Sequence, residues 1–365
     1  MKLLIIARPF VFHGGVERAT AGLVDALVQH GYDVHLLSAY GQARMPGVTR
    51  RVLPLPPLPS AARALALAAV ARVVVAGGGW DVVQSHERTL RQDIYRAGEG
   101  CHRAYLESMS DSRRRRPLFH RVVLELERRV FAATAHIVAI SRRSAAEIAD
   151  LYGVPRERLS VVYNGVDLER FHPKNRAAQR YLARAEAGVV ADAWTLLFVG
   201  SGFERKGLDT VIDALAISAD RSSRLIVIGR GATQAFRERA ARLAVDTRIT
   251  WLGPRHDVER WYAAADVVVL PSRYEPFGNV HLEALASGLP VVTSVIAGGA
   301  EAVDERCGAT VAPEDPAGLA AALEKLRGRN PAELRDAARA AAEPFTFGRQ
   351  VAALEGVYRR LQRNR

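Results

Sequence analysis

The chain has 365 residues, almost half of them hydrophobic and a quarter charged, with a formal net charge of +12 and two cysteines. That length exceeds the roughly 100 to 200 residues that one hydrophobic core usually supports, so two domains are expected. The composition excludes a disordered chain, and Cys101 with Cys307 alone excludes a disulfide framework or a cysteine-paired zinc site.

From the N-terminus, Lys2 to Ala7 reads as a buried first strand, too short for the apolar core of a secretory signal. The most apolar stretch, Ala64 to Ala76, is interrupted by Arg72 and falls short of the ~20 residues of a membrane span, so a cytoplasmic protein is expected. Further short, β-branched runs follow at Asp33 to Leu37, Trp80 to Gln84, Asp93 to Ala97, His136 to Ile140 and Leu159 to Tyr163. Between them, helical spacing of apolar residues marks Val16 to Gln29, Ala61 to Val75, Leu118 to Ala132 and Arg142 to Tyr152. Pro54, Pro56, Pro57 and Pro59 forbid regular structure in one connection. The alternation ends at His172 to Ala191, a more polar stretch, which places the boundary between a first domain (residues 1–175) and a second (176–345). The second series has strands at Leu196 to Val199, Leu225 to Ile228, Ile249 to Trp251, Val267 to Leu270 and Val291 to Thr293. Two α/β domains with parallel, doubly wound sheets result, and their ligands belong beyond the carboxyl ends of the strands.

Three segments fall at such strand ends. Gly14 and Gly15 open a helix after the first strand, where backbone can approach a ligand and free amides attract an anion. A tight turn without a ligand accounts for that pair equally well. Gly200-Ser201-Gly202-Phe203-Glu204-Arg205-Lys206-Gly207 sets two cations at a glycine-lined helix start. Such a pair can hold a diphosphate and offset its charge as it leaves, although a solvated charged turn is the plain alternative. In Tyr274 to Pro290, Glu275 and Glu283 stand eight positions apart with Pro276 and Gly278 between them. Glu275 is expected in a loop and Glu283 on the helix that follows, facing one crevice where carboxylates bond sugar hydroxyls and the amides of Phe277, Gly278 and Asn279 suit an anion.

Glu275 and Glu283, set in Glu-Pro-Phe-Gly and Glu-Ala-Leu-Ala-Ser-Gly-Leu-Pro-Val, resemble the Glu-x7-Glu signature of the retaining GT-B glycosyltransferases of family four. The Gly200 to Gly207 loop, Asn164-Gly165-Val166-Asp167 and the Gly14-Gly15 pair stand in that family's order, so the resemblance covers nearly the whole chain. It implies a GT-B fold, two Rossmann-like domains facing across a cleft, with the last helix, about residues 346–365, returning to the first. It further implies that Arg205 and Lys206 hold a donor diphosphate, Glu283 the ribose hydroxyls, and Glu275 with the amides after it the transferred sugar. Neither metal nor cofactor is implied, the nucleotide sugar being a substrate. Within the family, Phe10 to Arg18, Gly200 to Gly207 and Asp93 to Glu99 resemble the glucosyltransferases of the lipopolysaccharide core. That likeness implies Glu99 as the acidic group near the reacting sugar, with His86 and His102 as rivals because many members carry histidine at about that place. Asn279-Val280-His281 departs from the Ala-rich segment of that group and leaves the sugar open.

The positive charge favours an anionic partner. Arg113 to Arg116, followed by Pro117, Leu118 and Phe119, suits an anionic membrane surface or the phosphates of a lipid-linked acceptor; a solvated loop accounts for it equally. No motif of a nucleic-acid reader is present, and no nucleic-acid partner is expected. The leading expectation is transfer of glucose from UDP-glucose to a lipopolysaccharide core sugar, in the cytoplasm or against the inner face of the plasma membrane. The competing readings are transfer to another glycan or lipid acceptor, an epimerase or phosphorylase on the same scaffold, and a nucleotide-sugar-binding protein without catalysis.

Overall fold

A computed structural model describes residues 1–10, 15–39, 42–53, 55, 58–109 and 117–363. The chain divides into two compact units, one of residues 1–165 with the stretch from Phe347 onward, the other Val166–Thr346. Among the described residues each unit holds one all-parallel sheet, of seven strands in the first and six in the second.

In the first unit the elements run β1 (Lys2–Ile6), α1 (Gly15–Gln29), β2 (Asp33–Ser38), β3 (Val48–Val52), α2 (Ser60–Ala76), β4 (Val82–Ser85), β5 (Ile94–Ala97), α3 (His102–Glu107), α4 (Pro117–Ala133), β6 (His136–Ala139), α5 (Arg142–Tyr152) and β7 (Leu159–Val161). Their order across the sheet is β3-β2-β1-β4-β5-β6-β7. β1 is central because Leu3 to Ile6 is apolar on both faces and buried throughout, as a strand covered by helices on both sides must be. It pairs Leu3 with Val34 on one side and with Val82 on the other. Ser141 caps α5 by accepting from the Ser144 amide, and Gly153 ends it in the left-handed conformation that a glycine tolerates. Pro54, Pro56 and Pro57 lie outside the described residues.

The last helix, Phe347–Arg363, belongs to this first unit. Its Val351, Leu354, Val357 and Tyr358 pack with Leu23, Leu27, Val34 and Val82 in one core. The approach to α1 is close: a Cβ on Gly22 would press into the Phe347 ring, 2.6 Å from Cε1.

In the second unit the order is α6 (Asn175–Glu186), β8 (Thr195–Val199), α7 (Leu208–Ile217), β9 (Arg224–Ile228), α8 (Gln234–Arg242), β10 (Ile249–Gly253), α9 (Val258–Ala264), β11 (Val267–Leu270), α10 (Asn279–Ala286), β12 (Val291–Ser294), β13 (Gly308–Val311), α11 (Pro316–Arg327) and α12 (Pro331–Ala342), which leaves the last helix as α13. The sheet runs β10-β9-β8-β11-β12-β13. The polar stretch expected to separate the domains is α6. Its Arg176, Arg180 and Arg184, one turn apart, all reach the Asp266 carboxylate, at 2.9, 2.9 and 2.7 Å. The residues before α6 are also bound into this unit, which therefore starts at Val166 and not at residue 176. Val166 donates to the Phe345 carbonyl at 2.8 Å, Arg170 pairs with Glu259 at 2.9 Å, and Arg339 donates to the carbonyls of Leu168 and Phe171, each at 3.0 Å.

Candidate active site

In each sheet the chain winds outward in both directions from its first strand, and the loops that part at that switch point leave a crevice for a ligand. In the second unit the switch point lies between β8 and β11, which are hydrogen-bonded neighbours. The loops after these two strands carry Arg205 with Lys206, and Glu275.

The local sequence forces the two loops together. Gly207 has φ +76°, and a Cβ there would collide with the Pro271 carbonyl oxygen, so only glycine lets the first loop cross β11's end. At Gly200 a Cβ would lie 2.5 Å from Lys206 Cδ and Cε, because the lysine stem is laid across that position. Lys206 Nζ thereby meets Glu275 Oε2 at 3.0 Å. Arg205 Nη1 reaches the same oxygen at 3.1 Å and donates to the Tyr274 carbonyl at 2.7 Å. Glu275 and Lys206 are only 8% and 7% exposed. Burial opposes ionisation of Glu275, but the charges of Lys206 and Arg205 outweigh it and hold the carboxyl at about 2. The Gly298 amide donates to the Glu275 carbonyl at 2.8 Å and fixes the backbone beneath this contact.

Gly278, at φ +80°, leads into α10, whose first residue is Asn279. His281 is fully buried behind that turn, with Nδ1 2.7 Å from the Gly278 carbonyl and Nε2 2.7 Å from Thr293 Oγ1. Burial lowers its pKa to about 4, so the ring is neutral, with Nδ1 donating to the carbonyl; Thr293 Oγ1, beside Nε2, also lies 3.0 Å from the Leu270 carbonyl oxygen. Phe277 is buried before the turn. Glu283 is also buried and accepts from the Tyr262 hydroxyl at 2.8 Å. On the β8 side, Ser201 Oγ accepts from the Arg230 amide at 3.3 Å, and the Gly202 amide donates to the Arg230 carbonyl at 3.3 Å.

The first unit gathers a second set of charges at the ends of β1, β4 and β5. Arg8 reaches Glu87 at 2.9 Å and Glu99 at 2.7 Å, while Arg88 reaches Glu99 at 3.3 Å and Glu127 at 2.8 Å. Glu127 is fully buried and accepts in addition from the His102 amide at 2.8 Å and from the Tyr152 hydroxyl. Desolvation would raise the Glu99 pKa, yet the two guanidiniums pull it below the usual carboxylate range. The two histidines named beside it are held neutral. His86 lies between Thr20 Oγ1 at 3.3 Å and Gln84 Nε2 at 2.8 Å, its pKa pushed well down by burial. His102 meets His120 at 3.0 Å and is lowered to about 4, again chiefly by burial. Gly15 opens α1; Gly14 and Arg113 to Arg116 lie outside the described residues. Among the described residues no group of three or more His, Cys, Asp or Glu side chains is placed to hold a metal ion, and no helix is long and apolar enough to cross a membrane.

Residues 13–170 match the family described as Glycosyltransferase Family 4, and residues 193–329 match Glycosyl transferases group 1. Together the two matches take in most of the chain. It is 36% identical over 251 residues to D-inositol 3-phosphate glycosyltransferase 1 of Catenulispora acidiphila, a match covering 64% of this chain and 59% of that protein. The D-inositol 3-phosphate glycosyltransferase of Xylanimonas cellulosilytica is 36% identical over 252 residues, covering 66% and 60%. The matched part thus spans about six-tenths of these curated relatives. Among solved structures, the chain is similar to WaaG, a glycosyltransferase involved in lipopolysaccharide biosynthesis, with TM-score 0.83, 23% identity and coverage of 97% and 98%. It is also similar to sucrose-phosphate synthase of Thermosynechococcus elongatus (TM-score 0.81, 21% identity, both chains covered in full) and to Anabaena HepE in complex with UDP and glucose (0.74, 21%, 98% and 99%). The fold class, two α/β Rossmann-like units of GT-B type, is that of these structures.

In the second unit, sequence reasoning missed Arg273, which braces the β8 loop. It pairs with Asp209 at 2.7 Å and Glu314 at 2.7 Å, and donates to the Glu204 carbonyl. In the first unit it missed Arg8, Arg88 and Glu127. A basic residue directly after a buried strand was the available signal for Arg8, whereas Glu127 sits on a helix face that its neighbours make look solvated.

Proposed function

We propose that this chain transfers a hexose from a nucleoside diphosphate sugar to a hydroxyl of a sugar-like acceptor. The observation that carries this reading is the convergence of Lys206 and Arg205 on Glu275 where the β8 and β11 loops meet. In it, Arg205 and Lys206 bind the diphosphate and stabilise the charge that grows on it as the anomeric C–O bond breaks. Gly200, Ser201 and Gly202 let backbone approach the phosphates. Glu275 accepts from hydroxyls of the transferred sugar, helped by the amides of Phe277, Gly278 and Asn279, and Glu283 accepts from the ribose diol. The two cations and helix-start amides do the work a metal ion does elsewhere, and no cofactor takes part. The acceptor hydroxyl attacks with retention, its proton released as the new bond forms; in the first unit Glu99 is our candidate acidic group and Gly14 with Gly15 a candidate anion-binding turn.

For the donor, UDP-glucose is our reading. For the acceptor, a lipopolysaccharide core sugar accords with the likeness to WaaG. A phosphorylated cyclitol is the second reading, favoured by the 36% identity to relatives named for D-inositol 3-phosphate. Contact of Arg113 to Arg116 with an anionic membrane, and a cytoplasmic place beside it, go with a lipid-linked acceptor.

The test is turnover by purified protein over a panel of nucleotide sugars with chelator present, offering core oligosaccharide or inositol phosphate as acceptor. One donor should be consumed despite the chelator, and Lys206→Ala should lower kcat by about 10²- to 10³-fold. Nucleotide binding without turnover on any donor would leave only the binding-protein reading standing.

A further inference from the structure

We propose that Glu275 is a built-in counter-ion that competes with the donor's diphosphate for Lys206 and Arg205, so that the site favours the intact nucleotide sugar over the free nucleoside diphosphate. This rests on the nucleotide-sugar reading above and adds a task for Glu275 beyond contact with the sugar.

Both cations spend a bond on one carboxylate oxygen, Oε2, at 3.0 and 3.1 Å. Neither side of the contact is loosely held. The lysine stem crosses Gly200 so tightly that a Cβ there would lie 2.5 Å from two of its carbons, and Arg205 is tethered to the Tyr274 carbonyl at 2.7 Å. Glu275 is fixed through its own carbonyl by the Gly298 amide at 2.8 Å. The side chains of Lys206 and Glu275 are 9% and 10% exposed, so little of Lys206 is left uncovered for an incoming anion, whereas the Arg205 side chain is 30% exposed.

A phosphate oxygen that takes Lys206 must therefore displace Glu275 or sit beside it, and two anions close together in a poorly hydrated pocket repel strongly. The two kinds of nucleotide differ in what they offer the displaced carboxylate. A nucleotide sugar brings hydroxyl donors that satisfy it; a free diphosphate brings none. Glu275 released from Lys206 is then poised for the sugar, and once the sugar has left it reclaims the cations and helps to expel the nucleotide. The same contact thus sets selectivity at entry and speeds release at exit.

The test is calorimetric titration of wild type and Glu275→Gln with UDP, GDP and ADP, and with the matching monophosphates, at low and moderate salt. The amide keeps the size of the side chain and removes its charge. The expected result is that the variant binds the preferred diphosphate about tenfold more tightly, with monophosphate affinity changed less than about twofold. The gain should shrink at higher salt and in a Lys206→Ala background. Equal or weaker diphosphate binding by the variant would overturn the proposal while leaving the donor reading intact. Failure of wild type and variant alike to bind any nucleoside diphosphate would sink both. If Glu275→Gln does not fold, Glu275→Asp, which draws the charge back by one methylene, replaces it; a gain in diphosphate affinity is expected, and none would count against the proposal.

Discussion

The Tyr262 hydroxyl donates to Glu283 Oε2 at 2.8 Å, joining α9 to α10 beneath the loop that carries Glu275. Both side chains are buried, so the bond fixes where the carboxylate points. On the proposed role of Glu283 at the ribose, Tyr262→Phe should raise the donor KM about tenfold and leave kcat within about twofold, the pattern of a lost positioning bond. Steady-state kinetics over donor concentration measures this, and an unchanged KM would remove Tyr262 from the site.

Asp266 gathers three guanidiniums and also accepts from the Thr195 amide at 2.9 Å. Asp266→Ala would strand Arg184, which is 2% exposed, with its charge unpaired on that side. A loss of about 3 to 5 kcal/mol in chemical denaturation is expected. Arg176→Ala, at a residue 26% exposed with two other arginines left on the aspartate, should cost less than about 1 kcal/mol.

Acid should weaken the second unit in two stages. His281 is buried neutral, its pKa lowered from 6.5 to about 4, so below pH 6.5 the unfolded chain takes up a proton that the folded chain refuses. Stability present above 6.5 is lost as pH falls toward 4, by about 1.4 kcal/mol per unit from this group once well below 6.5. Glu275 then acts in the same direction: its folded pKa of about 2 lies below the ordinary 4.5, so its contribution is present above 4.5 and disappears as pH falls through 2. Denaturation midpoints measured from pH 7 to 3 should fall from near 6.5 onward, and a midpoint flat down to pH 4.5 would contradict the buried neutral imidazole.

Much of the sheet was legible because its strands are short apolar runs. Arg142 to Tyr152 is observed as read, and Val267 to Leu270 likewise. The elements that escaped lack that signal for physical reasons. β3, Val-Thr-Arg-Arg-Val, is an edge strand with four exposed residues, so no buried face imprints a period on it. β13 begins at Gly308, whose Cβ would strike the Val291 carbonyl oxygen; packing against β12, not residue preference, makes it a strand. α3 is six residues long and buries none of them. α6 looked like a linker because its inward face is arginine, and what arginine packs against depends on a partner 82 to 90 residues away. At the site, Arg205, Lys206 and Glu275 were visible as charged residues among glycines at strand ends. That both cations would share one oxygen of Glu275 could not be read from spacing, since it depends on the adjacency of β8 and β11.

The placement of α13 has a consequence for how the molecule is made. Residues 166–346 are contiguous, whereas the first unit needs Val351, Leu354, Val357 and Tyr358 to close a core begun at Leu3. The Tyr358 hydroxyl even completes a bond to Gln84, 274 positions earlier, at 2.8 Å. During synthesis residues 166–346 therefore have all their parts while the earlier-made unit waits, the apolar side of α1 and the strand residues beside it uncovered until α13 has been made.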